Sequence, residues 1–145
     1  MTDDHTAAPK YLGKTVNDPV DNVDTVPWNK GPVSITLHCS EFTSHCPVTG
    51  QPDFGRVVIR YTPRDRIIET KSLKMYLWKF REAHEFNEAL VRRICDEVAA
   101  VVHPVSLEVT GVFNPRGGIN VECKASMFDT VECKALMFDT EEVIP

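Results

Sequence analysis

No stretch of this 145-residue chain approaches the roughly 20 consecutive apolar residues that a helix needs to cross a bilayer. A membrane-spanning helix is therefore excluded. Positive charge is also in short supply. Sixteen Lys and Arg face 21 Asp and Glu, a net charge of −5, which argues against a broad nucleic-acid-binding surface. The opening "MTDDHTAAPK" has neither the basic start nor the apolar segment of a secretory signal. The expected location is the cytoplasm, where thiols stay mostly reduced. Cysteine is sparse and odd in number. Cys39, Cys46, Cys95, Cys123 and Cys133 cannot all pair, so a full disulfide framework is a poor fit. What is present is ordinary globular material, 42% hydrophobic and 26% charged, on a length that suits one domain. Such a length can bury a core without disulfides or metal.

Residues 1–32 carry Pro9, Pro19, Pro27 and Pro32 among many Asp, Asn and Thr. They read as a loose leader, with Trp28 anchoring its end. A single catalytic domain is expected over 33–145. "VSITLHCSEF" alternates, with Val33, Ile35 and Leu37 on one face, and predicts a strand. "SHCPVTGQPDFG" (44–55) predicts a loop. "FGRVVIRYT" predicts a second strand, and "IIE" extends strand character to Glu69. From Lys71 the period changes. "KSLKMYLWKFREA" puts Leu73, Leu77 and Phe80 on one helical face, with Tyr76 beside them. A second helix is predicted from about Phe86 to Val101, with Phe86, Leu90, Ile94, Val98 and Val101 as its apolar set and Pro104 as its stop. "VSLEVTGVF" and the stretch after "NPRGG" alternate again. The order β-β-α-α-β-β predicts an α+β domain with an antiparallel sheet packed by two helices. Near the end "VECKASMFDT" (121–130) is repeated as "VECKALMFDT" (131–140). One ten-residue duplication is too short for a solenoid, and its even length preserves strand facing.

Two groups of residues carry chemistry. Cys46 sits among Pro47, Thr49, Gly50 and Pro52, with Asp53 close behind, and not among aliphatic neighbours. Packing, metal ligation, a disulfide and nucleophilic catalysis with Asp53 as acid are all open for it. His38-Cys39 and His45-Cys46 supply four possible zinc ligands. Their spacing is wider than compact structural zinc sites use, and strand neighbours point to opposite faces. Lys71 and Lys74, three apart at a helix start, share a face. They are either solvated lysines or, with the free N–H groups of the first turn, an anion site.

The blocks "CPVTGQPDF", "ETKSLKMYLWKFR", "FNE" and "PRGGI" together resemble the nitrile reductases of queuosine biosynthesis, the NADPH-dependent 7-cyano-7-deazaguanine reductases. The likeness covers roughly residues 33–120. It implies a tunnelling fold whose β-β-α-α-β-β subunits assemble into barrel-like rings, with active sites between subunits of a homo-oligomer. It implies a deazapurine substrate, NADPH as cofactor and no direct nucleic-acid partner. Residue by residue, Cys46 matches the nucleophile that forms a thioimide and Asp53 the acid/base group. Ile68, Glu69, Thr70, Asn87 and Glu88 match the substrate-binding positions. Lys71, Lys74 and Arg116 match positions that hold the cofactor phosphates. No metal is implied. Many members carry His where this chain has Asn87, and asparagine cannot shuttle a proton. The other readings kept are a zinc-dependent tunnelling-fold pterin or purine cyclohydrolase and a non-catalytic purine-binding protein.

Overall fold

The structure, a computed structural model, describes residues 8–129. The second repeat copy and Cys133 lie outside the described residues. The elements are β1 (Thr25–Pro27), β2 (Ile35–His45), β3 (Pro52–Thr62), β4 (Arg66–Ile68), α1 (Thr70–Trp78), a 3-10 helix (Lys79–Glu82), α2 (Asn87–Val102), β5 (Ser106–Arg116) and β6 (Ile119–Phe128). Four long strands form one antiparallel sheet in the order β2-β3-β5-β6. Both helices pack on one face of it. The expected α+β order with an antiparallel sheet and two helices is what the chain adopts. None of the helices among the described residues is long and apolar enough to cross a membrane.

The alternation of each strand sets the layer. Val57, Ile59 and Tyr61 of β3 are buried beside Leu107 and Val109 of β5, while Arg56 and Arg60 face outward. From the helix side come Leu73, Tyr76 and Phe80, and from α2 Leu90, Ile94, Val98 and Val102. Gly111 lets α2 approach closely, since a Cβ there would meet Val91 at 2.5 Å. The apolar set predicted for α2 shifts at both ends. Phe86 precedes the helix and is 59% exposed, and Val102 is fully buried where Val101 was expected.

Three further expectations are corrected. The loop over 44–55 shrinks to 46–51, because Ser44 and His45 pair with Asp53 and Pro52 across β2 and β3. The leader is not loose throughout. Val20 and Val23 join the core, and Thr25–Pro27 pairs with β4 as a separate two-stranded sheet. Asp24 ties this segment to the helix layer through Ser72 Oγ, which donates to it no bond but accepts one from the Asp24 N–H at 2.7 Å. Lastly, β2 does not alternate evenly. A bulge between Cys39 and Phe42 places three residue steps against two on β3. Leu37 and Cys39 pack toward the helices before it, and Phe42, Ser44 and Cys46 do so after it.

Candidate active site

The bulge decides which side chains meet at one end of the sheet. Ser44 and Asp53 are Cα partners, so both point to the helix-facing side. Cys46 follows two residues on and is 7% exposed, and Asp53 is 6% exposed. The six-residue connection closes on itself: the Cys46 N–H donates to Gln51 O, and the Gly50 N–H donates to Cys46 O, both at 2.9 Å. Arg116 arrives from the end of β5. It is paired with Ile119 across a two-residue turn of Gly117 and Gly118, both at positive φ, 57° and 79°. Its Nη1 lies 3.3 Å from Asp53 Oδ1.

This surrounding sets the thiol. The Cys46 pKa is lowered to about 7, first by the Thr49 hydroxyl, then by the backbone N–H groups of Thr49 and Val48, with Arg116 adding a smaller pull. Thr49 Oγ1 already accepts from the Gln51 N–H at 3.3 Å, which leaves its proton for the sulfur. Burial acts the other way on Cys39, Cys95 and Cys123 and raises each of them. All four described cysteines are free thiols. Cys46 is the one among them primed as a thiolate near neutral pH.

The segment after the 3-10 helix crosses this end of the layer. The His45 N–H donates to Ala83 O at 2.9 Å, and the rings of His45 and His84 stack with centroids 4.9 Å apart. Asn87 begins α2 above Cys123, is 3% exposed, and has no hydrogen-bond partner for either side-chain atom. Ser44 Oγ and His45 Nδ1 are also buried without partners. Such groups are rare in folded proteins and mark places where a ligand or water completes the bonding. Glu88 is exposed in the first turn of α2. Sequence reasoning named Asn87 and Glu88 and weighed His45 only as a zinc ligand, but gave no role to Ser44 or Thr49. Only the bulge and the closed loop give these last three their positions.

The remaining expected residues lie elsewhere. The Ile68 N–H donates to the hydroxyl of Tyr61 at 2.9 Å. Tyr61 is eight residues from Asp53 along β3, about 25 Å at a strand's ~3.3 Å rise. Glu69 caps α1, its two carboxylate oxygens accepting from the Lys71 and Ser72 N–H groups, each at 2.8 Å. The helix-start N–H groups expected to receive an anion are thus already satisfied. Lys71 Nζ donates to Tyr11 O at 3.2 Å. Thr70, Lys74, Leu77, Trp78 and Arg81 line a groove against β2 of about 620 Å³. One chain therefore gathers Cys46, Asp53 and Arg116, and holds the segment Ile68–Thr70 apart from them, with Lys71 tied to Tyr11 and Lys74 in the groove between.

A family model described as "QueF-like protein" matches residues 52–132. The chain belongs to this family. Among curated members, the "NADPH-dependent 7-cyano-7-deazaguanine reductase" of Anaeromyxobacter sp. (strain Fw109-5) is 51% identical over 89 residues, 61% of this chain and 73% of the relative. The protein of the same name from Helicobacter acinonychis (strain Sheeba) is 49% identical over 88 residues, 61% of this chain and 60% of that one. Among solved structures, the family's "archaeosine synthase QueF-Like in the apo form" superposes with a TM-score of 0.61. That match covers 71% of this chain and 99% of the other, at 22% identity, and speaks for the fold. The sheet with two helices on one face is the family's tunnelling-fold subunit.

Proposed function

We propose that this chain is an NADPH-dependent reductase of 7-cyano-7-deazaguanine, taking the nitrile to the aminomethyl group in queuosine biosynthesis through a covalent Cys46 thioimide. The observation that carries the reading is the lowered pKa of Cys46 beside the Asp53–Arg116 pair. The names of the curated relatives support it.

In this reading the Cys46 thiolate adds to the nitrile carbon. The sulfur–carbon bond forms, one π bond of the nitrile breaks, and Asp53 delivers to nitrogen the proton that the thiol gave up. A nitrile is a modest electrophile, so a thiolate available at neutral pH matters more here than it would against an activated ester. Glu88 offers two acceptors to the ring N–H and exocyclic amino group of a guanine-like base. Asn87, buried and unpartnered, supplies both a donor and an acceptor to the same ligand.

The groove between α1 and β2 fits the cofactor. Lys74 and Arg81 line it and make no ion pair among the described residues. Its volume lies in the range of about 300–1,000 Å³ typical of small-molecule sites. Two free cations in such a groove fit a phosphate-bearing dinucleotide. Lys74 and Arg81 would hold the phosphates from the groove, with Lys71 and Arg116, which stand outside it, as the further cations that the likeness implies. NADPH supplies hydride to carbon when bound, twice for each nitrile.

Cys46 and the segment Ile68–Thr70 lie at opposite ends of one subunit, since Ile68 is bound by Tyr61 at the far end of β3 from Asp53. A complete site therefore joins one end of a subunit to the other end of a second copy, which supports a homo-oligomer with shared sites. The test is NADPH consumption with 7-cyano-7-deazaguanine, comparing wild type with Cys46→Ala, and intact mass after incubation with substrate alone. Loss of turnover and an adduct on wild type only are expected. Robust turnover by the alanine variant refutes the covalent role.

A further inference from the structure

Among the described residues Asp53 has one visible holder, and it is an insecure one. Arg116 reaches Oδ1 at 3.3 Å, but its side chain is 49% exposed and it stands at the foot of a glycine turn. The reading above also assigns Arg116 to a cofactor phosphate. A guanidinium drawn to phosphate leaves Asp53, whose side chain is only 5% exposed, without an anchor. Yet a proton donor has to keep its orientation toward the nitrogen it serves.

Directly across the strand pair stands Ser44. Its Cα is partnered with that of Asp53, and both side chains lie on the helix-facing side. Facing pairs of this kind have Cβ atoms about 4.5–5.5 Å apart, within reach of a hydroxyl-to-carboxyl hydrogen bond after one χ1 rotation. Ser44 is 0% exposed and its Oγ has no partner in the structure. A fully buried hydroxyl is seldom left unbonded. Valine or alanine would fill a purely structural position on a sheet face without that penalty.

We propose that Ser44 is a positioning residue for Asp53, its hydroxyl turning to the carboxyl group when Arg116 moves off. It touches neither substrate nor cofactor. Its effect is to keep the Asp53 carboxyl aimed while the proton passes to nitrogen, and so to act on turnover and not on binding. The inference rests on the reading of Asp53 as the proton donor.

The experiment compares Ser44→Ala and Ser44→Cys with wild type. Alanine leaves a small gap and cysteine puts a larger, weakly donating thiol in its place, so a loss common to both separates hydrogen bonding from space filling. Expected for both variants is a fall in kcat of about fivefold or more, with KM for 7-cyano-7-deazaguanine within about twofold. The Ala variant keeps or raises the melting temperature, since the lost hydroxyl has no partner in the resting fold. A kcat near wild type in either variant overturns the proposal. So does a loss carried by KM alone, which would make Ser44 a substrate ligand. Cys46→Ala is run beside them: its full activity would remove the underlying reading, whereas an inactive Cys46→Ala with unaffected Ser44 variants removes only the role of Ser44.

Discussion

At the scale of single residues, the reactivity of Cys46 depends first on Thr49. The hydroxyl accepts from the Gln51 N–H and gives its own proton to sulfur, so the loop backbone aims the donor. Alkylation of Cys46 by iodoacetamide, followed on its own peptide by mass spectrometry, should therefore show a midpoint near pH 7. In Thr49→Val the midpoint should rise toward the ordinary thiol value of about 8.5. An unchanged midpoint would remove Thr49 from the account. Prolines and glycine made the tight loop between Cys46 and Asp53 legible, while their pairing as nucleophile and acid came from the likeness of the four blocks. The place of Arg116 was not legible, because it depends on the register of the β5–β6 hairpin, where pairing shifts between Phe113 and Arg116. Asn87 and Glu88 could be named from the sequence, but that Asn87 is buried with an empty amide could not.

Elements carry the next set of consequences. Glu69 binds two N–H groups at the start of α1, so Glu69→Ala should cost about 1–2 kcal/mol in urea unfolding, and Glu69→Gln should recover part of it. Glu97 braces α1 to α2. It accepts from the Tyr76 hydroxyl at 2.6 Å and from Lys79 at 2.9 Å, and pairs with Arg93. Burial opposes its charge, but these donors outweigh burial and hold its carboxyl below the ordinary value. A depressed pKa in the fold means stability that is present above the unfolded value of about 4.3 and lost as pH falls through the folded one. The stability gap between wild type and Glu97→Gln should therefore be largest near neutral pH and close on acidification; a gap constant down to pH ~3 would contradict the brace. Both helices were legible from their periods. Their first turns were not. Phe86 fits the apolar spacing yet sits outside α2, and Glu69 reads equally as strand end or as cap until its neighbours are placed.

For the whole molecule, the decisive fact is the distance between two groups of residues on one chain. Eight residues of β3 separate Tyr61, which binds the Ile68 N–H, from Asp53. If sites are shared between copies, a variant damaged at Cys46 and one damaged in α1 should repair each other. Cys46→Ala and Lys74→Ala, each inactive alone, should regain activity when unfolded together and refolded as a mixture. A mixture as dead as its parts would place each site within one subunit. The order of elements could be read directly from the sequence, since each long strand and helix has a strong period of its own. The docking of residues 20–27 could not, because three strand residues and two buried valines leave no periodic trace.

The irregular step in β2 has a consequence of its own. From Ile35 to Cys46 the chain carries one residue more than its partner strand can match, and Ser40–Glu41 absorb the excess. Facing along a strand is a matter of odd and even counts. Were β2 regular at its present length, every functional side chain would survive in the composition while Ser44 and Cys46 turned their backs on Asp53. Cys46 is aimed by one extra step in its strand, a property that no inventory of its motif contains.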